Sequence, residues 1–321
     1  MFNPLKYFSN RKVGLVLGSG AAKGISHISV IEYLKKMDIP IDMIAGSSIG
    51  ALIGAIYACG NLDRAKNDLI SFDWKDLLKI LDFVFPKSGI IEGTKITKYL
   101  SQYIPDTVNF EDLPIKLNVI ATDFISGDAV IFNKGNVLNA VRASISIPGI
   151  FEPVNYNGCI LIDGGVANPI PVNIVKQMGA GKVIAVNLHP TAAKLVTKKS
   201  MKAKTVEADD IPETSKIVTD KVKKSKIDSL FGDLKKYFST ENRKTDNIPS
   251  IVEVMSQSID IMEFMNTQML LKYFKPDVLI QPNLSDIKTM DFYRASYILS
   301  KGTIASEEMK RNLLFKVKYW I

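Results

Sequence analysis

The sequence is poor in the residues that build metal centres and covalent cross-links. It has two cysteines, Cys59 and Cys159, and two histidines, His27 and His189, in 321 residues. Two cysteines exclude a disulfide scaffold and a cysteine-based zinc site, and a chain this long does not need disulfides to hold a core. Both read as buried free thiols in a reducing compartment. Two histidines exclude a His-rich metal centre. Long apolar runs are also scarce. Val13–Leu17 is too short for a signal-peptide core and no small-residue cleavage site follows, so the reading is a protein that stays in the cytoplasm. Met43–Gly60 runs 18 residues without a charge, the bare minimum for a membrane span. It holds Gly46, Gly50, Gly54, Gly60, Ser47 and Ser48, and reads better as a buried strand, turn and helix. Internal repeats are absent.

What is present is ordinary globular composition: 46% hydrophobic and 23% charged residues, which excludes a disordered, collagenous or coiled-coil chain. The length allows one large domain or two small ones. The net charge of +8 suits an anionic partner, whether nucleic acid, membrane surface or acidic substrate, without choosing among them.

Val13–Leu17 reads as a strand buried on both faces. A glycine-rich turn and a helix near Ala22–Met37 follow. Ile41–Ala45 is a second strand, with a tight turn and a helix near Ile49–Cys59 after it. Helices are predicted at Asn61–Ile70, Thr94–Tyr103 and Asn136–Ala143. Strands are predicted at Ile115–Ala121, Ala129–Phe132, Cys159–Ile162, Val183–Asn187 and Val278–Gln281. The chain closes with helices at Ile251–Phe274, Phe292–Lys301 and Thr303–Phe315. In the first of these, Met255, Met262, Met265 and Met269 read as core. Alternating strands and helices predict an α/β sheet, mostly parallel.

Thr191–Asn247 differs in composition. It has 14 Lys and Arg against 9 Asp and Glu, so +5 of the net charge lies there. A loop of that length is unusual inside a compact domain. It reads as a basic flexible insertion with a helix near Ser215–Phe238, either a solvated linker or a mobile flap.

Three short segments carry the chemistry. Gly46-Ser47-Ser48-Ile49-Gly50 fits G-x-S-x-G between a predicted strand and a predicted helix. A serine at such an elbow sits in a strained turn, exposed at the sheet edge, with glycines where side chains would clash. The following helix points its N-terminus at the site. Gly18-Ser19-Gly20-Ala21-Ala22-Lys23-Gly24 also joins strand to helix, and its small residues let N–H groups converge on an anion. A dinucleotide loop fits poorly, because position 23 is Lys and the second strand ends in Gly46-Ser47-Ser48 rather than an acid. The other reading is an oxyanion hole, with N–H groups around Gly20 and Ala21. Asp163-Gly164-Gly165 follows a short strand; alone it signals a turn.

Together these segments resemble the patatin-like phospholipase family, specifically its bacterial branch. The glycine-rich loop matches Gly18–Gly24, G-x-S-x-G matches Gly46–Gly50, and D-G-[GA] matches Asp163–Gly165. Further matches are Lys23-Gly24-Ile25-Ser26-His27, Ala121-Thr122-Asp123, the A-S-x-x-I-P-x-x-F-x-P run from Ala143 to Pro153, Ile280–Pro282 and Asp291–Phe292. The resemblance extends from about Val13 to Gly302, interrupted by Thr191–Asn247. Ser19 departs from it, standing where bacterial members usually have Gly; it is tolerated if its φ is not positive.

The resemblance implies a patatin-like three-layer α/β/α sandwich with a nucleophile elbow. The domain would span 13–321 after a basic, aromatic segment at 1–12, with the insertion at 191–247 and C-terminal helices at 251–321. It implies a serine lipid acyl hydrolase of the phospholipase A or lysophospholipase type with a Ser48–Asp163 dyad. Gly18, Ser19, Gly20, Ala21, Lys23 and Gly24 would form the oxyanion loop, Gly46 and Gly50 the elbow, and Gly164 and Gly165 the turn after Asp163. No metal or other cofactor is implied. An aspartate near pKa ~3.9 is a weak base for a hydroxyl. It must be positioned, partly desolvated and aided by oxyanion stabilisation.

A Ser-His-Asp triad using His189 is the competing arrangement. His27 reads as a brace of the loop and Asp123 as a brace of a turn. Arg142, Ser144 and Ser146 fit the site or the core equally. The partners implied are a phospholipid or other acyl lipid and a membrane surface bound peripherally at its inner face, with no nucleic acid; a homo-oligomer is compatible. Phe2, Leu5, Lys6 and Tyr7 at one end, and Arg311, Phe315, Tyr319 and Trp320 at the other, suit either a lipid interface or packing. An acyltransferase using the same acyl-enzyme and a non-catalytic membrane-binding protein are the alternatives.

Overall fold

A computed structural model describes residues 12–80, 92–189 and 251–321. The segment at 1–11, the insertion at 191–247 and its helix near Ser215–Phe238 lie outside the described residues.

The described strands form an eight-stranded sheet in the order β5-β6-β3-β2-β1-β7-β8, with β4 also paired to β3. They are β1 (Val13–Leu17), β2 (Met43–Ser47), β3 (Lys116–Asp123), β4 (Ala129–Phe132), β5 (Val154–Tyr156), β6 (Cys159–Asp163), β7 (Lys182–Val186) and β8 (Val278–Ile280). The β1–β2, β1–β7, β2–β3 and β7–β8 pairs are parallel; β4, β5 and β6 pair antiparallel.

Alternation along β1 and β2 divides the core. Leu15, Leu17 and Ile44 face one cluster, which they share with α1 (Ser26–Lys36), α2 (Ile49–Ala58), α6 (Val137–Ser144) and α9 (Ala295–Glu308). Val16, Met43 and Ala45 face the other cluster, with Val172 and Val175 of α7 (Val172–Gln177) and Leu270 and Leu271 of α8 (Ile251–Tyr273). Helices on both faces make the three-layer α/β/α sandwich that the sequence predicts. Leu15, Leu17 and Ile44 are fully buried, each contributing about 1.5–3 kcal/mol by leaving water. Three short helices, α3 (Leu62–Ser71), α4 (Trp74–Ile80) and α5 (Thr94–Leu100), follow α2, and α10 (Lys310–Lys316) ends the chain. Met43–Gly60 is β2, its turn and α2, and no described helix is long and apolar enough to cross a membrane.

The sheet determines where the site forms. Residues 119–122 of β3 pair with β4 on one edge. On the opposite edge, β2 runs up to Ser47, opposite Ile120, and β6 arrives from the other end to place Asp163 opposite Ala121. Two strands thus meet head to head on one edge of β3, and the residues at their ends become neighbours.

Two expectations fail. Cys159 is exposed and Cys59 half-buried, because Cys159 begins a strand at the rim of the sheet. Met255, Met262, Met265 and Met269 are 40–60% exposed. α8 buries the narrow line of Glu263, Phe264 and Thr267 instead, so Met262, Met265 and Met269 stay exposed, while Met255 lies against Gly149 at the rim of a cavity.

Candidate active site

Ser48 alone connects β2 to α2. Its φ of 54° and ψ of −124° strain a residue with a side chain, at a cost of about 1–3 kcal/mol. The turn closes because its flanks lack side chains: a Cβ on Gly46 would overlap the Gly50 backbone, and one on Gly50 the Leu17 carbonyl. The first turn of α2 lies directly behind Ser48, its dipole favouring negative charge there.

The Ser48 hydroxyl donates to Asp163 Oδ2 at 2.5 Å. The other oxygen, Oδ1, accepts the Gly165 N–H at 2.7 Å. The Asp163 carbonyl accepts the Thr122 hydroxyl at 2.8 Å. The segment from Ala143 to Pro153 clamps both residues: Ser144 Oγ accepts the Ser48 N–H at 2.9 Å and donates to the Ile120 carbonyl at 2.5 Å. The Ser146 and Ser144 carbonyls accept the N–H groups of Asp163 and Gly164 at 2.9 and 3.1 Å. Gly164 is required here, since a Cβ would overlap the Ile120 carbonyl. Burial, and then the charge of Glu263, push Asp163 well above the usual carboxylate range; the bonds from Ser48 and Gly165 oppose this.

The Gly18–Gly24 loop sorts into separate tasks. The Gly18, Ser19, Ala22 and Lys23 N–H groups donate to carbonyls of Val186, Pro169, Thr289 and Gly20. Gly20 (φ 146°) and Ala21 (φ 47°) turn the chain through positive φ. Among the described residues their N–H groups have no hydrogen-bond partner, and both residues line a cavity with Ser48 and Asp163. Gly20 and Ala21 therefore present open donors to the cavity. Gly24 packs on α2, where a Cβ would overlap Ile49. Ser19 has no positive φ, the condition under which a side chain is tolerated. His27, fully buried, donates from Nε2 to the Gly18 carbonyl at 2.8 Å, bracing the loop as expected. Asp123 is a turn brace, accepting the Ile125 and Ser126 N–H groups.

The family model for patatin-like phospholipases matches residues 15–176, half of the chain, a span that holds Gly18–Gly24, Ser48 and Asp163. The chain belongs to the patatin-like phospholipase family. It is 37% identical over 185 residues to the uncharacterized NTE family protein Rv1063c of Mycobacterium tuberculosis, covering 58% of this chain and 51% of that one. It is 33% identical over 190 residues to lysophospholipase NTE1 of Candida albicans, covering 57% of this chain and 13% of that one. The chain thus spans about half the length, or less, of these curated relatives. Among solved structures it is similar to VipD from Legionella pneumophila, 14% identical with a TM-score of 0.45 over 93% of this chain and 66% of that one.

In this patatin-like site two cavities meet at Ala21, Ser48 and Ile147. One is walled by apolar side chains including Leu52, Ile56, Leu69, Phe72, Leu100 and Phe151. The other is lined by Asp163, by Ser256, Asp260 and Glu263 of α8, and by apolar residues including Ile150 and Ile259.

His189 makes no hydrogen bond to Ser48 or Asp163. Its Nε2 lies 3.0 Å from Glu263 Oε2 and 3.1 Å from Ser19 Oγ. Arg142 reaches Ser146 Oγ and the Glu92 and Glu152 carbonyls, tying the clamp together. The sequence reading missed Glu263 and the bracing role of Thr122. The available signal for Glu263 was its place, with Asp260, in a largely apolar helical stretch. No cluster of three metal-ligating side chains is present among the described residues.

Proposed function

We propose that this chain is a serine lipid acyl hydrolase of the phospholipase A or lysophospholipase type, acting through an acyl-enzyme on Ser48 with Asp163 as the base. The observation that carries this is the 2.5 Å bond from the Ser48 hydroxyl to Asp163, at the junction of an apolar cavity and a second cavity lined in part by Asp163, Asp260 and Glu263. The acyl chain would lie in the apolar cavity and the alcohol portion in the one that holds the carboxylates, leaving the ester carbonyl beside Ser48.

Ser48 Oγ attacks the carbonyl carbon as its proton passes to Asp163 Oδ2. Negative charge develops on the carbonyl oxygen, which faces the Gly20 and Ala21 N–H groups. Donors of this kind each contribute about 3–4 kcal/mol to the transition state. Asp163 then gives its proton to the departing alcohol as the ester bond breaks. A water molecule attacks the acyl-enzyme, Asp163 takes its proton, and Ser48 leaves with a proton restored. The raised proton affinity of Asp163 answers the weakness of an ordinary aspartate as a base, since a base works best near the operating pH.

Action at a lipid surface is part of the proposal. Val254, Ile261, Met262, Met265 and Met269 are exposed on α8, the helix that lends Asp260 and Glu263 to the cavity beside Ser48, and the chain is basic. Apolar residues with basic charge suit a bilayer interface.

The test is labelling with an alkyl fluorophosphonate, with mapping of the labelled residue, beside a medium-chain p-nitrophenyl ester assay. Wild type is expected to label at Ser48. Ser48→Ala and Asp163→Asn are expected to lose at least a thousandfold in kcat, on the order of a triad deletion, and His189→Ala to keep Ser48 reactive. Full activity in folded Ser48→Ala would end this reading.

A further inference from the structure

Glu263 stands outside the dyad yet is built into the same site. It is 7% exposed, in the middle of α8. Its Oε2 accepts the Ser19 hydroxyl at 2.9 Å and lies 3.0 Å from His189 Nε2. The Ser19 hydroxyl and His189 Nε2 are themselves 3.1 Å apart, so three buried polar atoms form a closed triangle. Its Oε1 occupies the space that a Cβ on Gly165 would take. The N–H of that same glycine donates to Asp163 Oδ1. Two carboxylates therefore sit on either side of one glycine, facing one cavity.

A buried carboxylate is costly unless something fixes it there. Ser19 and His189 supply that, and Ser19 stands where the family pattern has Gly. We infer that Glu263 is a positioning residue for Asp163: its carboxylate, fixed by Ser19 and His189 against the Gly165 turn, makes Asp163 a stronger proton acceptor for Ser48. This rests on the hydrolase reading given above. The physical basis is that a neighbouring negative charge disfavours a second one, so the proton on Asp163 is held more tightly. Among the described residues, the other charged or titratable groups nearby are His189 after β7, which touches Glu263, Asp260 one turn away on α8, and Lys23 of the glycine-rich loop, which acts on Asp260. Burial raises Asp260, while Lys23 and His189 pull it back. Burial and the Glu263 charge act together on Asp163.

The inference also separates Glu263 from a tie that merely pins α8 to the loop. A tie acts through shape, which glutamine preserves; the proposed effect acts through charge, which glutamine removes. The experiment compares kcat/KM against pH for wild type, Glu263→Gln and Glu263→Asp with a p-nitrophenyl ester, with Ser48→Ala and Asp163→Asn run in parallel. In Glu263→Gln the rising limb is expected to move down by about one pH unit. Its alkaline plateau is expected to fall on the order of threefold, a weaker base giving a slower proton transfer. Glu263→Asp, which keeps the charge, is expected to retain the wild-type limb. A Glu263→Gln limb superimposed on wild type overturns the inference, as does a Glu263→Asp limb that moves with it. If Ser48→Ala and Asp163→Asn are inactive while the Glu263→Gln limb is unmoved, this inference alone fails. If those two remain active, the hydrolase reading fails and takes this with it. Should Glu263→Gln not fold, carboxyl ¹³C NMR of aspartate-labelled wild type decides, with Asp163 identified by the signal lost in Asp163→Asn. Because burial alone also raises Asp163, the readout is its coupling to Glu263: a two-step titration curve for Asp163 is expected, and a single-step curve overturns the inference.

Discussion

Ser144 and Ser48 are joined by one hydrogen bond across 96 residues of sequence, the Ser48 N–H donating to Ser144 Oγ at 2.9 Å. The same hydroxyl donates to the Ile120 carbonyl. It thereby links the strained turn to β3, along which Asp163 also sits. Ser144→Ala leaves a buried N–H and a buried carbonyl without this partner. The expected cost is about 1–3 kcal/mol of stability, read as a lower urea midpoint. Because the elbow loosens while both cavities stay intact, kcat is expected to fall and KM to hold. A change confined to KM would show that Ser144 does not position Ser48.

His27 makes the loop sensitive to acid. The Gly18 carbonyl can only accept, so Nε2 carries the proton, and Nδ1 is a buried nitrogen with no hydrogen-bond partner among the described residues. Burial lowers its pKa from 6.5 to about 4, the Gly18 bond opposing part of that. Between those values the unfolded chain holds a proton that the folded chain refuses, so stability falls as pH drops from 6.5 towards 4. The full loss is about 3 kcal/mol. His27→Gln is expected to flatten this part of the stability–pH curve, measured by urea unfolding at pH 7 and pH 4.5. An unchanged slope would place the acid sensitivity elsewhere.

The local part of the site was legible in the sequence. Gly46, Gly50 and the turn between a strand and a helix identify Ser48, because the physics of that elbow involves near neighbours only. What holds the elbow was not legible, since it comes from far along the chain: Ser144, and Glu263 lying 244 residues from the Ser19 it binds. β5 was missed because it is a three-residue edge strand with little apolar pattern. α7 was missed because Pro171 precedes a helix of only six residues. The methionines of α8 were misread for a related reason. Apolar residues surround that helix, and the buried line is marked by Glu263 and Thr267 rather than by hydrophobicity.

The burial of Asp163 costs stability where its carboxyl is ionised. Its folded pKa is raised by burial and by Glu263, so the folded state binds the proton more tightly than the unfolded one. The sign is opposite to that of His27: its contribution is fully present below about pH 4, the unfolded value, and is lost as pH rises through the raised folded value. Asp163→Asn carries no charge to desolvate. It is expected to be more stable than wild type at pH 8, by about 1–3 kcal/mol, with the gain shrinking towards pH 4. Equal unfolding midpoints at both pH values would mean that the carboxylate is not penalised by its surroundings.

Leu52 tests the apolar cavity. It lies one turn into α2 beyond Ser48, with its N–H on the Ser48 carbonyl at 3.1 Å, and its side chain lines the cavity wall. Leu52→Phe adds volume where space exists, so the stability change should stay within about 1.5 kcal/mol. A longer acyl chain would meet the added ring, whereas a butyryl group would stop short of it. The expected result is a fall of about tenfold in kcat/KM for a dodecanoyl ester with little change for a butyryl ester, one or two lost methylene contacts being sufficient. The ratio between the two esters is the quantity to measure, because it cancels any general damage to Ser48. A parallel fall for both esters would mean that the acyl chain does not occupy this cavity, and would direct the search to the cavity lined by Asp163 and Glu263.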